Sequence, residues 1–208
     1  MSILVFRFLL VLVGSFIISL GSTLMITVSQ LGLHPFDVLE YALTQKFGLT
    51  FGKWHWIVGA IIGLSAYFVN RKVPKIGVFL DAFLVGAFID FLLWTNWIPI
   101  VHHYILEGIY LIIGICLVGF GTGMYIAADL GAGPSDWFSL AVAERTGFSY
   151  SKTTTFTEIS AVILGFILNG PIFIGTLLFS LFYGPIMVFS LKIWKQNVRV
   201  VRKRILKL

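Results

Sequence analysis

Long unbroken runs of apolar residues, separated by short polar segments, dominate the pattern of this chain. The runs predict helices over residues 3–28, 54–70, 75–95, 104–128, 153–169 and 171–192. A helix needs about 20 residues to cross the hydrocarbon core of a bilayer, and unbroken apolar runs favour helices over the alternating strands of a membrane barrel. We therefore predict six transmembrane helices. The fifth run is the most polar, so five spans are the alternative.

The composition of the chain indicates that these helices fold in a lipid bilayer and not in water. The chain is 58% hydrophobic and 12% charged, which leaves too little polar surface for a water-soluble domain of this length. We predict an all-α membrane protein that forms a single integral membrane domain over residues 1–208. Its one cysteine excludes an internal disulfide.

The net charge of +6 is concentrated beside predicted spans, which argues against nucleic acid as a partner. Seven Lys and Arg residues lie in the last 17 residues, and Arg71, Lys72 and Lys75 lie between spans two and three. Positive residues mark cytoplasmic loops. An even number of spans places both groups on the same face, so both termini are predicted to be cytoplasmic, with residues 196–208 as a basic cytoplasmic tail.

One motif occurs twice. The sequence L-G-L-H-P-F-D at residues 31–37 returns as L-G-A-G-P-S-D at residues 130–136, and the register then holds at an offset of 99 residues as far as Lys53 and Lys152. We predict internal repeats over residues 1–99 and 100–195. Because each holds three spans, an odd number, the two must be inverted relative to each other, as in many transporters.

A short helix is predicted within each copy of the motif, over residues 35–47 and 134–146. Each begins with proline, carries an aspartate two residues later and ends before glycine, which are strong start and stop signals. Thirteen residues span roughly 20 Å, too short to cross the bilayer. Each helix is therefore interfacial or re-entrant, and the sequence leaves both alternatives open.

Re-entrant helices would bring two helix N-termini together near the midplane and create a site for an anionic or polar solute. The candidate substrate-binding residues are Gly32, Pro35, Asp37, Gly131, Gly133, Pro134 and Asp136. The alternative is that the two aspartates only complement the dipoles of their own helices, while the glycines only make turns.

Carboxylates inside predicted spans are costly and often functional. Asp90 and Glu158 are candidates for proton or cation coupling or for solute binding, with internal hydrogen bonding as the alternative. Asp81 is a further candidate, although it can also lie near an interface. His55 follows Trp54 and is expected to be an interfacial side chain.

The motifs resemble the YczE/YyaS/YitT family of bacterial integral membrane proteins. The similarity lies in residues 31–37, 47–53, 86–90 and 128–137, and it extends over essentially the whole chain. His34 departs from the family-like pattern L-G-x-G-P-x-D, which the second copy keeps. The resemblance implies a bacterial cytoplasmic-membrane protein, and it implies no particular substrate.

We therefore predict a small-solute transporter or permease of the bacterial cytoplasmic membrane, without enzymatic activity. A substrate-binding membrane subunit of a larger importer and a structural or regulatory membrane protein are the alternatives. The expected partners are the lipid bilayer and an unknown small solute, and a homo-oligomer is left open. No catalytic residue, metal site or cofactor is predicted, because zinc-binding and nucleophile motifs are not found.

Overall fold

Eight α-helices make up residues 3–205, the part of the chain described by the structure, a computed structural model. They are α1 (Ile3–Thr27), α2 (Pro35–Phe47), α3 (Phe51–Asn70), α4 (Ile76–Thr95), α5 (Tyr104–Ala127), α6 (Pro134–Thr146), α7 (Tyr150–Ile167) and α8 (Ile174–Ile205). A 3₁₀ turn (Ser29–Leu31) precedes α2. The all-α prediction is confirmed.

Four of these helices, α1, α4, α5 and α8, are long and apolar enough to cross a membrane. Helices α3 and α7, with 20 and 18 residues, are less apolar, so the count of six spans stays a prediction. Large apolar side chains such as Phe79, Phe166 and Leu177 point outward and are exposed. An apolar exterior of this kind is suited to contact with lipid.

Helices α1 and α5 cross in antiparallel directions at the centre of the molecule. Gly14 faces the carbonyl oxygen of Gly121, and Gly21, two turns further along α1, faces that of Gly114. A Cβ atom at Gly21 would lie 2.7 Å from the Gly114 oxygen. Glycine is therefore required here because the two backbones touch.

The other long helices flank this central pair. Helix α4 packs on α1, where Ser19 donates a hydrogen bond to the Val85 carbonyl (3.1 Å). Helix α8 packs on α5, where Ser190 donates to the Phe120 carbonyl (2.6 Å). The short helices pack across the molecule, α2 on α7 and α6 on α3.

Each motif segment contacts the start of a long helix that is distant in sequence. The Gly77 amide, at the start of α4, donates to the Leu130 carbonyl (2.9 Å) before α6. Gly175, at the start of α8, packs against the carbonyl oxygens of Leu31 and Gly32 before α2. The two contacts are reciprocal, and they hold both motif segments inside the helix bundle.

The bounds of α2 and α6 agree with the prediction, and Gly48 and Gly147 end them with φ of 73° and 75°. Other predicted bounds were wrong. Helices α3 and α7 begin three residues early, because Thr50 and Ser149 accept hydrogen bonds from the amides of Lys53 and Lys152 and so cap them.

The bounds predicted for the last helix, residues 171–192, were also wrong. Helix α8 begins at Ile174 because Asn169, with a φ of 65°, turns the chain before Pro171. It then continues through most of the predicted basic tail to Ile205, since no helix breaker follows Pro185. Residues 206–208, at the end of that tail, lie outside the described residues.

Candidate functional site

A polar cavity of about 100 Å³ lies where α2 and α6 begin. It is also bounded by α1, α3, α4, α5 and α8. Its polar lining side chains are Ser22, His34, Asp37, Glu40, His55, Asp81, Thr122, Tyr125, Ser135, Asp136 and Tyr183, and Gly133 and Pro134 complete the wall beside α6.

Helix α6 enters the cavity at its N-terminus. Its first residue, Pro134, lies beside Gly59, halfway along α3. Ten residues later, the side chain of Glu144 lies 3.5 Å from that of Asn70, the last residue of α3. The helix therefore starts beside the middle of α3 and runs toward the C-terminal end of α3.

Gly133, the residue before α6, lies against a carboxylate of α4. A Cβ atom at this position would be 2.7 Å from Asp81 Oδ2. The corresponding residue before α2 is His34, whose ring lies 4.6 Å from that of Phe179 on α8. Phe179 in turn stacks on Tyr183 (4.9 Å).

Four carboxyl side chains line the cavity: Asp37, Glu40, Asp81 and Asp136. Asp37 and Glu40 are only 5% and 2% exposed. No lysine or arginine from the described residues lines the cavity with them. Buried carboxylates without lysine or arginine partners favour protons, cations or hydrogen-bond donors over anions.

Two histidines contact the carboxylates of α2. Glu40 lies 3.2 and 3.0 Å, through its two oxygens, from Nδ1 of His55 on α3. His34 Nδ1 is 3.5 Å from Asp37 Oδ1. Asp37 Oδ2 and His55 Nε2 are buried, and neither makes a hydrogen bond to any described residue.

The surroundings of α6 contain hydroxyl groups in place of histidines. Tyr150 donates a hydrogen bond to Asp136 (2.7 Å). Ser139 is 3.1 Å from Thr157, and Thr153 donates to the Ser139 carbonyl (3.0 Å). Hydroxyls thus connect α6 to α7, whereas an imidazole and a carboxylate connect α2 to α3.

The structure brings together about half of the residues predicted from the sequence. Asp37, Asp81, Gly133, Pro134 and Asp136 line the cavity. Glu158 lines an adjoining small cavity of about 20 Å³, which it shares with His34 and Asp136.

The other predicted residues lie elsewhere. Gly32 packs against Thr176 and Gly131 against Gly77, Pro35 is buried at the first turn of α2, and none of the three lines the cavity. Asp90 accepts hydrogen bonds from Thr50 Oγ1 (2.5 Å) and the Gly52 amide (2.8 Å). Because Asp90 is part of α4, these hydrogen bonds connect α4 to the start of α3.

Sequence reasoning missed Glu40 and His34 as lining residues and placed His55 at the interface. His55 instead lines the cavity. Glu40 follows Asp37 by three residues, so the two share one helix face, and that spacing was the available signal. No group of three His, Cys, Asp or Glu side chains within residues 3–205 is arranged to hold a metal ion.

Comparison with known proteins places the chain in a family. A model of a family of unknown function, DUF6198, matches residues 5–192. The chain belongs to DUF6198. Two similar proteins from Bacillus subtilis (strain 168) confirm the family resemblance that the motifs indicate.

The first of these relatives is YczE, described as an uncharacterized membrane protein. It is 37% identical over 189 residues, which is 90% of this chain and 86% of YczE. The second, YyaS, described as an uncharacterized protein, is 32% identical over 80% of this chain and 83% of its own length. An uncharacterized Haemophilus influenzae (strain ATCC 51907 / DSM 11121 / KW20 / Rd) protein is 28% identical over 85% of this chain and 79% of its own.

No solved structure matches the chain. The four candidate spans and the similarity to YczE together show that this DUF6198 member is a multi-pass membrane protein.

Proposed function

We propose that this protein is a permease for a small cationic or hydrogen-bond-donating solute, which binds in the cavity between two inverted repeats. The cavity lined by four carboxyl groups where α2 and α6 begin is the observation that carries the proposal. We propose further that the protein has no catalytic activity.

Reciprocal contacts support the inverted repeats. A two-fold rotation that interchanged α1 and α5 would exchange the glycine pairs Gly14–Gly121 and Gly21–Gly114. The same rotation would exchange the contact of α4 with the segment before α6 and that of α8 with the segment before α2. A site on such an axis is typical of transporters built from inverted repeats.

The positions of the charged groups support an orientation. Arg7 and Lys75 lie 3.7 and 3.5 Å from Asp129, and Lys72 lies 2.8 Å from Glu144. These basic residues therefore gather at one end of the bundle, which we assign to the cytoplasmic face of a bacterial membrane. With α3 and α7 as additional spans, both termini lie on that face.

The lining of the cavity supports the class of solute. Two helix N-termini alone would favour an anion. Even with Glu40 and Asp37 each paired with a histidine, however, the carboxylates of Asp81 and Asp136 outweigh the partial charges of about +0.5 at each helix N-terminus. Asp37 Oδ2 is buried and has no hydrogen-bond partner among the described residues. A cation or hydrogen-bond donor at this oxygen would remove the cost of leaving a buried acceptor unpaired.

The experiment is measurement of solute-induced currents from purified protein in liposomes on a solid-supported membrane, which records the charge displaced when a cation binds as well as the charge that crosses. The probes are choline, ethanolamine and guanidinium, with acetate and phosphate as anionic comparisons. We expect currents from at least one cation, and their loss in Asp37→Asn and Asp136→Asn. Glu107→Gln, at the far end of α5 from the cavity wall, is the matched control and should keep the current.

Two outcomes would contradict the proposal. Currents from the anions alone would show that the class of solute is wrong. No current from any probe, together with co-purification of an ATPase from the native membrane, would favour the subunit of a larger importer.

A further inference from the structure

We infer that the buried Glu40–His55 pair is a proton-binding site that exchanges protons for the solute. The inference rests on the proposed function and names the coupling ion and the residues that bind it. It replaces Asp90, which caps α3 outside the cavity.

The geometry of the pair suits a proton. Glu40 is 2% exposed, and both of its oxygens lie within 3.2 Å of the same ring nitrogen of His55. The other ring nitrogen is buried and has no hydrogen-bond partner among the described residues. It is therefore free to bind or release a proton without breaking a protein contact.

Both residues of the pair line the cavity, so the proton and the solute reach the same space. The titratable groups that face the pair are His34 and Asp37 at the start of α2 and Asp81 on α4. A change in the charge of the pair therefore changes the electrostatic potential at the carboxylates that would bind a cation.

The second motif segment argues against a merely structural role for the Glu40–His55 pair. At the offset of 99 residues, Ser139 stands for Glu40 and Thr154 for His55. Helix α6 packs on α7 through Ser139, Thr153 and Thr157 without an ion pair. The short helix can therefore be held in place by hydroxyls, and a buried charged pair is not needed for this packing.

The exchange follows from charge balance. With a proton on Nε2 of His55, the pair is neutral as Glu⁻ and HisH⁺. When this N–H bond breaks and the proton leaves, the pair carries a net charge of −1, which adds to the charge of the neighbouring carboxylates, and a cationic solute is bound more tightly. Proton binding therefore favours solute release. One proton exchanged for one monovalent cation moves no net charge, so the current in the natural protein comes from the binding of the solute.

The test uses the second motif segment as a template. The double variant Glu40→Ser/His55→Thr removes both charges at once, which avoids leaving one buried charge unpaired. Liposomes that contain the pH dye pyranine are mixed with the cation that gives a current. For the natural protein we expect the lumen to become more alkaline as solute enters and protons leave. The double variant should lose this change, and any solute that it still takes up should enter without a change of pH.

Three outcomes separate this inference from the proposed function. A solute current with no pH change in the natural protein overturns the exchange and leaves the permease intact. An unchanged pH response in the double variant overturns the assignment to this pair.

If no probe gives a current, the permease fails, and ¹⁵N-histidine NMR of the purified protein still decides the proton site. A signal that disappears in His55→Thr and titrates between about pH 5 and pH 9 supports proton binding, and one that does not titrate overturns it.

Discussion

The two short helices share a backbone design and differ in chemistry. Both have 13 residues, begin with proline and end at a glycine with positive φ. Around α2, however, the polar groups are His34, Asp37, Glu40 and His55, whereas hydroxyl groups surround α6. The comparison teaches that packing constrains the backbone of both segments, while the histidine–carboxylate contacts are found around α2.

The strongest test of the shared design is the crossing of α1 and α5. We expect Gly21→Leu and Gly114→Leu each to lower the free energy of unfolding by about 3 kcal/mol, the upper part of the range for overpacking. Cβ atoms there would lie 2.7 and 2.9 Å from the opposing carbonyl oxygens. Thermal unfolding in detergent, followed by tryptophan fluorescence, measures the effect.

Gly63→Leu is the control for these variants, because a Cβ atom at Gly63 meets nothing within 4 Å. A loss at Gly63 equal to the losses at Gly21 and Gly114 would contradict the close contact of the two backbones as their cause.

The next test exchanges the residues that precede the short helices. Gly133→His should cost about 2 kcal/mol by overpacking, because its Cβ would lie 2.7 Å from Asp81 Oδ2, and it should abolish solute currents by filling the cavity. His34→Gly loses a ring contact with Phe179 and should cost only about 1 kcal/mol. A Gly133→His protein with natural stability and currents would show that the cavity does not hold the solute.

Sequence patterns were sufficient for the local elements of this fold. Proline and glycine determine the bounds of α2 and α6, since they act through backbone geometry within a few residues. Asp37, Gly133 and Asp136 were found because they belong to the motif itself. The pairing of Glu40 with His55 joins two helices, and no local pattern contains the angle between them.

Asp90 shows the opposite error. A carboxylate in an apolar run predicts function because it is costly in the bilayer. Asp90 lies on α4, and its carboxylate faces the start of α3, where a hydroxyl and a backbone amide each donate a hydrogen bond to one of its oxygens. The partners come from a turn 38 and 40 residues earlier, so the run around Asp90 does not reveal them.

Asp90→Asn tests that reassignment. We expect it to lower the free energy of unfolding by about 1 kcal/mol, as for loss of a helix cap. Solute currents and proton exchange should be unchanged, because Asp90 lies outside the cavity. At an offset of 98 residues, which matches Gly77 with Gly175, α8 carries Val188 in place of Asp90, so the second half lacks this connection. Loss of proton exchange with natural stability would restore Asp90 as the coupling residue.

The smallest expected effect concerns the end of α6. Lys72 Nζ lies 2.8 Å from Glu144 and lowers the pKa of that carboxyl from its ordinary value of 4.5. The residue of α2 that corresponds to Glu144 is Gln45, so this ion pair again distinguishes the two helices. Both side chains are well exposed, and such pairs contribute little and are screened by salt.

Because the folded-state pKa of Glu144 is lowered, the pair stabilises the protein above the unfolded value and loses its effect as the pH falls through the lowered one. Lys72→Met should therefore reduce the unfolding temperature slightly at neutral pH and low salt, and not in acid or high salt, while Lys72→Arg should keep the natural value. An equal reduction under all conditions would mean that Lys72 stabilises the end of α6 through the packing of its apolar stem.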